Sequence, residues 1–247
     1  FLPSNPTVIG YSGYQQNFNG DDEFVGPNQP QANMITYYLK KRHIFGDMHL
    51  EIFNEQGEKT HTLPAGKRMG INRVELNLRE EPPKVPKAKS LAFGAMFGPS
   101  IKPGEYTVHI VKNDQVEKGR FTVKHDPNSR HTIEEREKRY EYVMKGYRVL
   151  EDLAYTVEKL TRLKQDCAEK DEDVEDADLS GMLVELSDSL TNIHGQLVST
   201  ENMGMFGGEE KVREKLANLY SAIIRYQGQP TQSQMDRLDL LAREVEQ

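Results

Sequence analysis

The sequence predicts an α+β multidomain protein, an antiparallel β-sandwich followed by an antiparallel bundle of about four helices. Between residues 33 and 126, short runs of alternating apolar and polar residues are separated by turn-forming residues. From residue 132 onward, apolar residues instead recur at intervals of three and four, the period of an amphipathic helix. The charge balance changes at the same place, because residues 1–126 carry 16 Lys/Arg and 14 Asp/Glu whereas residues 127–247 carry 16 and 25.

Composition and charge limit the classes of function. With 247 residues, 36% of them hydrophobic and 29% charged, the chain is long enough to bury its own cores without disulfides or metals. No apolar run reaches the length of a membrane span, and the first residues lack the features of a signal peptide. The acidic second half repels phosphate backbones. We therefore expect no membrane span and no nucleic-acid partner.

The first 32 residues form a separate compositional region. They are rich in Asn, Gln, Gly and Pro, and their scattered aromatic residues follow neither the period of a strand nor that of a helix. This pattern indicates an irregular lead-in. Its aromatic content exceeds that of a free linker, so we expect part of it to lie against another surface.

The β domain, residues 33–126, is built from strands whose side chains alternate between the core and the solvent. Turn residues such as Asn54–Gly57 separate these strands and predict a hairpin. The predicted strands are Met34–Leu39, a strand on Met48, Leu50 and Ile52, then Thr60–Leu63, Asn72–Leu78, a strand on Tyr106, Val108 and Ile110, and Arg120–Val123. About seven short strands in some ninety residues is the pattern of an Ig-like sandwich.

A long insertion interrupts the strands between Glu80 and Gly104. Its first part is rich in proline, and the segment from Leu91 to Pro99 carries three large apolar residues among glycines and alanines. Phe93, Met96 and Phe97 are candidate partner-binding residues, because Met and Phe are enriched at adaptable contact surfaces. The alternative is that this segment packs under its own domain or onto the helices.

The helical domain, residues 132–247, begins at a capping box on Thr132 and Glu135. A second capping signal follows Pro230, and the acidic stretch from Asp171 to Asp178 predicts a solvated connection. The four apolar stripes are Tyr140, Val143, Tyr147, Leu150, Ala154, Val157 and Thr161; Leu179, Met182, Leu186, Leu190, Ile193 and Leu197; Val212, Leu216, Leu219 and Ile223; and Met235, Leu238, Leu241 and Val245. Each stripe is expected to be buried, which predicts helices packed antiparallel.

The sequence contains no recognisable catalytic motif. Cys167 lies among carboxylates that oppose thiolate formation, and no nucleophile elbow or Cys-His pair accompanies it. His49 and His109 are expected to share a sheet surface without the spacing of a zinc site. The pairs Glu80 with Glu81 and Asp21 with Asp22 are interpreted as solvated loop charges. The sequence therefore predicts no catalytic residue, no metal site and no cofactor.

A glycine-containing segment and a short basic run superficially resemble binding motifs. Gly66–Gly70 lacks the Gly-Lys-Ser/Thr of a phosphate loop and is predicted to be a hairpin turn. Lys40–Arg42 carries few charges for a nucleic-acid patch and is expected at the edge of a strand. Neither motif predicts a binding site alone.

Several segments resemble a known family. Gly46–Gly57, Leu63–Val74 and Pro103–Val108 resemble the Ig-like repeat of flagellar hook-capping proteins and of many secreted bacterial proteins. From Gly26–Lys40 through the helices, the chain resembles the C-terminal segment of exported bacterial proteins whose N-terminal part is a sialidase-type, sortilin-like β-propeller, often labelled glycosyl hydrolases. The resemblance covers residues 24–170 well. The chain lacks the propeller repeats, so no glycosidase residue can be carried over.

The resemblance implies a function that the residues do not contradict. It implies a non-catalytic interaction or scaffolding module of a larger exported protein, located in the periplasm, at the cell surface or outside the cell. The expected partner is a protein, either the propeller of the parent protein or a partner subunit. The alternative is a carbohydrate-binding or accessory module of a glycoside hydrolase, for which Tyr11, Tyr14, Tyr37 and Tyr38 would have to supply the sugar-stacking aromatic rings.

Overall fold

The computed structural model describes residues 1–2, 5–9, 32–89, 92–200 and 210–246. The chain forms two compact units that alternate along the sequence: unit 1 contains Phe1–Glu80 and Ser100–Arg130, and unit 2 contains Glu81–Pro99 and His131–Gln247. The α+β class and the four helices are confirmed. The segment Glu81–Pro99 belongs to the compact unit of the helices and not to the unit of the strands that flank it in the sequence.

Seven strands are described in unit 1, and they form two sheets. The strands are β1 (Thr7–Ile9), β2 (Ala32–Leu39), β3 (Met48–Phe53), β4 (Lys59–Pro64), β5 (Gly70–Asn77), β6 (Gly104–Lys112) and β7 (Gln115–His125). One sheet has the order β1-β7-β6-β3-β4, and the other pairs β2 with β5. β1 lies in the predicted irregular lead-in and runs parallel to β7, so the five-stranded sheet is mixed rather than antiparallel. It curls into a half-barrel, and the predicted Ig-like sandwich is not confirmed.

The core of unit 1 consists of side chains from both sheets. Leu50 and Ile52 of β3 are fully buried, whereas Glu51 between them is partly exposed, as the alternation in the sequence predicts. Tyr37 of β2 and Leu76 of β5 pack into the same cluster. The predicted hairpin at Asn54–Gly57 is confirmed, since β3 and β4 pair antiparallel.

The segment between β4 and β5 is not the hairpin turn that the sequence predicted. β4 pairs with β3 and β5 pairs with β2, so the chain passes here from one sheet to the other. The side chain of Asn72 closes the segment by donating to the carbonyl of Arg68 at 2.8 Å. The buried hydroxyl of Tyr37 donates to the carbonyl of Gly66 at 2.7 Å. Side-chain hydrogen bonds thus stabilise a crossover between the two sheets. The turn residues in the sequence do not show whether such a segment forms a crossover or a hairpin.

Unit 2 contains four described helices. They are α1 (Ile133–Asp173), α2 (Ala177–Leu197), α3 (Val212–Arg225) and α4 (Gln232–Glu246). The capping box at the start of α1 is confirmed, because Thr132 Oγ1 accepts from the backbone of Glu135 and the Glu135 carboxylate accepts from the backbone of Thr132. Thr231 and Gln234 make the equivalent pair at α4. The predicted acidic connection is shorter than expected, since α1 continues to Asp173 and Asp176 caps α2.

The core of unit 2 surrounds α3. The predicted stripe of α3 is buried throughout, and Leu150 and Leu238 from α1 and α4 are fully buried in the same cluster. Val85, Ala88, Ala92 and Ala95 of the segment Glu81–Pro99 also pack into it. The helices therefore share their core with a segment that lies between β5 and β6 in the sequence.

Candidate functional site

The segment Glu81–Pro99 is fixed to the helices by polar contacts at both ends. Arg213 of α3 is buried and donates through Nε to the carbonyl of Pro86 at 2.9 Å. The hydroxyl of the buried Tyr220 donates to the carbonyl of Phe97 at 3.1 Å. Lys84 forms an ion pair of 2.8 Å with Glu158 of α1. These contacts fix the backbone of Glu81–Pro99, while the side chains of Phe93, Met96 and Phe97 stay outside the core.

A short 3-10 turn, Phe93–Ala95, packs against α3. Gly94 packs so tightly that a Cβ atom there would collide with the carbonyl oxygen of Ala217. Ala95 is buried beside it. Only residues with very small side chains fit between this turn and the helix.

The three predicted partner-binding residues lie around that turn with their side chains exposed. Phe93, Met96 and Phe97 keep 46%, 58% and 52% of their surface accessible, and we call them the 93–97 patch. The sequence left two alternatives, a partner-binding tip or a segment packed onto the helices. Gly94 and Ala95 pack onto the helices, whereas the side chains of the patch are exposed, and their role in binding a partner stays a prediction. The patch exposes roughly 300 Å² of apolar surface, comparable to the largest patch on many monomers.

The stripe predicted on α2 is not buried as expected. Leu190 is buried, but Leu179, Met182, Leu186 and Ile193 are exposed, Met182 by 67%. The less exposed positions of α2 follow a neighbouring series at intervals of three and four: Ser180, Leu183, Ser187, Leu190, His194 and Leu197. This series lies toward α1, where Ser180 donates to Asp171. A two-helix hairpin covers one side of each helix, which leaves the adjacent stripe uncovered.

A second exposed apolar cluster, in unit 1, was not predicted from the sequence. Tyr38 of β2 pairs in register with Ile71 of β5, and both side chains are exposed. Phe45 and Ile44, in the β2–β3 loop, and Met69, just before β5, are more exposed still, Phe45 by 84%. A backbone hydrogen bond of 3.0 Å from His43 to Lys67 joins the two loops that carry them. We call these five apolar residues and the basic residues of the same segments the unit 1 tip.

The polar face of the five-stranded sheet contains the histidines that the sequence placed together. His49 and Glu51 of β3 lie 3.7 Å apart, and Glu51 pairs in register with His109 of β6. A hydrogen bond from Lys59 lowers the pKa of Glu51. Burial, with repulsion from Lys118, lowers the pKa of His109. Within the described ranges no group of three or more His, Cys, Asp or Glu side chains could hold a metal ion.

The remaining candidates are dispersed. Cys167 is buried on α1. Of the tyrosines considered for sugar stacking, Tyr38 is exposed but Tyr37 is buried, so they do not form a common platform; Tyr11 and Tyr14 lie outside the described residues. The pair Asp21 and Asp22 also lies outside them. Glu81 is exposed, as expected for a solvated loop charge, whereas Glu80 is only partly exposed.

The comparisons with known proteins do not identify a family. No protein-family model matches the sequence, and no curated protein matches it significantly. None of the helices among the described residues has the length and apolar character needed to cross a membrane. The candidate site therefore rests on the geometry of the 93–97 patch.

Proposed function

We propose that this chain is a non-catalytic interaction module of a larger exported bacterial protein and that the 93–97 patch is its contact surface. The observation that carries the proposal is the combination of three exposed apolar side chains with a buried anchor at Gly94 and Ala95. Large apolar side chains on a fixed backbone lose little conformational freedom when they bind. Aromatic anchors of this kind often dominate the energy of an interface.

The proposed occupant is a protein surface, either the β-propeller that the resemblance implies or a partner subunit. The resemblance of Gly46–Gly57 and Pro103–Val108 to an Ig-like repeat supports this assignment, and the finer description of unit 1 as Ig-like is part of the proposal. The location in the periplasm or at the cell surface follows from the same resemblance. A binding surface on the helical unit fits a module that joins other parts of an assembly.

The test is titration calorimetry of the full chain against the separately produced propeller of its parent protein. We expect saturable binding, and the double variant Met96→Ser/Phe97→Ser should weaken it at least about 10-fold, as expected when central apolar contacts are lost. Met182→Ser is the control, because it removes a methionine of similar exposure, 67% against 58% for Met96, from the same unit. An affinity unchanged by the double variant, or the absence of binding, would contradict the proposal.

The glycan alternative has weaker support. Sugar binding on a flat surface needs exposed aromatic rings in a common plane, and the chain contains no tryptophan. Tyr37 is unsuitable because its ring is buried and its hydroxyl donates to Gly66. We therefore favour a protein partner.

A further inference from the structure

The unit 1 tip combines exposed apolar side chains with a strong local positive charge. Its apolar members, Tyr38, Ile44, Phe45, Met69 and Ile71, are 58–84% exposed. Summed over the five residues, the exposed apolar surface is roughly 600–700 Å², slightly more than the roughly 300–600 Å² of the largest patch on a typical monomer. Residues 38–47 and 65–73 carry six Lys/Arg and one Asp, a local net charge of +5 in a chain whose overall charge is −7. The six basic residues are Lys40, Lys41, Arg42, Lys67, Arg68 and Arg73.

Both loops of the tip present these two kinds of residue in the same order. In the first, Lys40–Arg42 and His43 precede the exposed Ile44 and Phe45, and Gly46 follows; in the second, Lys67 and Arg68 precede the exposed Met69, and Gly70 follows. Gly46 after Phe45 has φ 89°, and Gly70 after Met69 has φ 94°, a conformation that favours glycine. The apolar side chains thus lie at the turns and the basic residues lie before them.

Hydrogen bonds hold the two loops together as one surface. Besides the backbone bond between His43 and Lys67, the ammonium of Lys67 donates to the carbonyl of Gly46 at 3.1 Å. Tyr38 and Ile71 extend the apolar area onto the outer face of the β2–β5 sheet. Binding therefore requires little ordering of the tip.

We propose that the unit 1 tip binds the surface of an anionic lipid membrane, with the apolar side chains entering the interface and the basic side chains contacting the lipid headgroups. Apolar side chains projecting from turns suit a fluid layer, which accepts them without a matching pocket. Each Lys or Arg near an anionic surface adds attraction that falls off within a Debye length. The excess of six basic residues over one acid selects an anionic surface over a neutral one.

The first test measures co-sedimentation of the full chain with vesicles. We expect binding to vesicles of phosphatidylglycerol mixed with phosphatidylcholine, little binding to pure phosphatidylcholine, and a loss of binding as salt rises. Because the chain has no tryptophan, Phe45→Trp supplies a single fluorescent reporter of insertion. Its emission should shift to shorter wavelength with the anionic vesicles only.

Two double variants separate the apolar and the ionic contributions. Ile44→Ser/Phe45→Ser should lower the partition coefficient about 10-fold to 100-fold, since it removes two neighbouring exposed apolar side chains, including Phe45, the most exposed of the five. Lys41→Gln/Arg42→Gln should lower it about 25-fold at low salt and reduce its salt dependence. Met182→Ser/Leu186→Ser and Lys87→Gln/Lys89→Gln change the same residue classes in unit 2 and should bind like the unmodified chain.

Three results would overturn the proposal. They are no binding to anionic vesicles, equal binding to neutral vesicles, and tip variants that bind as well as the unit 2 controls. Thermal unfolding of each variant checks that the exposed substitutions leave the fold intact. Absence of vesicle binding would leave an acidic protein surface as the occupant of the tip. Because the tip and the 93–97 patch share no residue, this test is independent of the proposed protein interaction.

Discussion

Gly94 shows how one residue can control the exposure of its neighbours. Its missing Cβ allows the 3-10 turn to approach the backbone of α3, and this contact holds Phe93 and Phe97 at the surface. The φ angle of Gly94 is not in the left-handed region, so packing and not backbone conformation requires glycine here. The sequence singles out Phe93 and Phe97 as candidate contact residues but does not indicate that the glycine between them packs against α3.

Gly94→Ala should therefore destabilise the protein although it adds only one methyl group. The new Cβ would collide with the carbonyl of Ala217, and we expect a loss of about 1–3 kcal/mol because the backbone must shift. Gly181→Ala is the control, since Gly181 lies in helix α2 with open space around it. That change should stabilise the protein by about 0.5–1 kcal/mol. Denaturant unfolding midpoints measure both, and equal shifts in the two variants would exclude a tight contact at Gly94.

Leu150→Asp tests the core of unit 2. Leu150 is fully buried in the cluster around α3, and the change removes its packing and introduces an unpaired charge. We expect a loss of more than about 3 kcal/mol. Lys159→Ala changes an exposed position of the same helix and should cost within about 0.5 kcal/mol. The denaturant midpoints of the two variants measure these losses. A Leu150→Asp protein as stable as the unmodified chain would show that the apolar stripe of α1 is not part of a core.

At the scale of elements, α1 and α2 form a hairpin whose seam contains a histidine. His194 lies in the less exposed series of α2, and burial, together with repulsion from Lys164 of α1, lowers its pKa below the ordinary 6.5. The unfolded chain therefore binds a proton more readily than the folded hairpin. The stabilisation from neutral His194 is complete above about pH 6.5 and decreases as the pH falls toward the lowered pKa.

We expect the unmodified chain to lose more stability between about pH 7.5 and about pH 5.5 than a His194→Gln variant does. Urea midpoints at both pH values provide the measurement. The difference between the two proteins cancels the contribution of His109, whose pKa is lowered as well. If both proteins lose the same stability over this interval, His194 does not titrate below its unfolded value.

The elements also show what a sequence pattern can and cannot predict. The buried stripe of α3 and the cap at Thr132 were predictable because each depends on residues within one helix. The exposure of the stripe on α2 was not predictable. Leu183 and Leu186 lie on neighbouring stripes of the helix, and only the position of the partner helix decides which stripe is covered. The parallel partner of β1 was missed for a similar reason, since β7 lies more than 100 residues away. Three strand residues in a polar segment give too weak a local signal.

At the scale of the whole molecule, the 93–97 patch and the unit 1 tip differ in how readily they are recognised from the sequence. The 93–97 patch lies in one contiguous segment, so its composition alone singles out these residues as a candidate contact surface. The unit 1 tip combines two segments that are about 25 residues apart, and neither segment alone predicts a binding site. Register between β2 and β5 and the hydrogen bond from His43 bring the segments together. A site assembled by pairing of distant strands cannot be recognised from either segment separately.

The alternation of the two units along the chain has a consequence for synthesis and for truncation. The segment Glu81–Pro99 leaves the ribosome more than 100 residues before α3, the helix that buries Gly94 and Ala95. A nascent or truncated chain that ends near residue 130 would contain the seven described strands of unit 1 and also four apolar residues that α3 and its neighbours no longer cover, Val85, Ala88, Ala92 and Ala95. Such a fragment would be a chaperone client rather than a finished domain. No single truncation point separates the two units with both intact. Helix α3 buries a segment that is synthesised more than 100 residues before it.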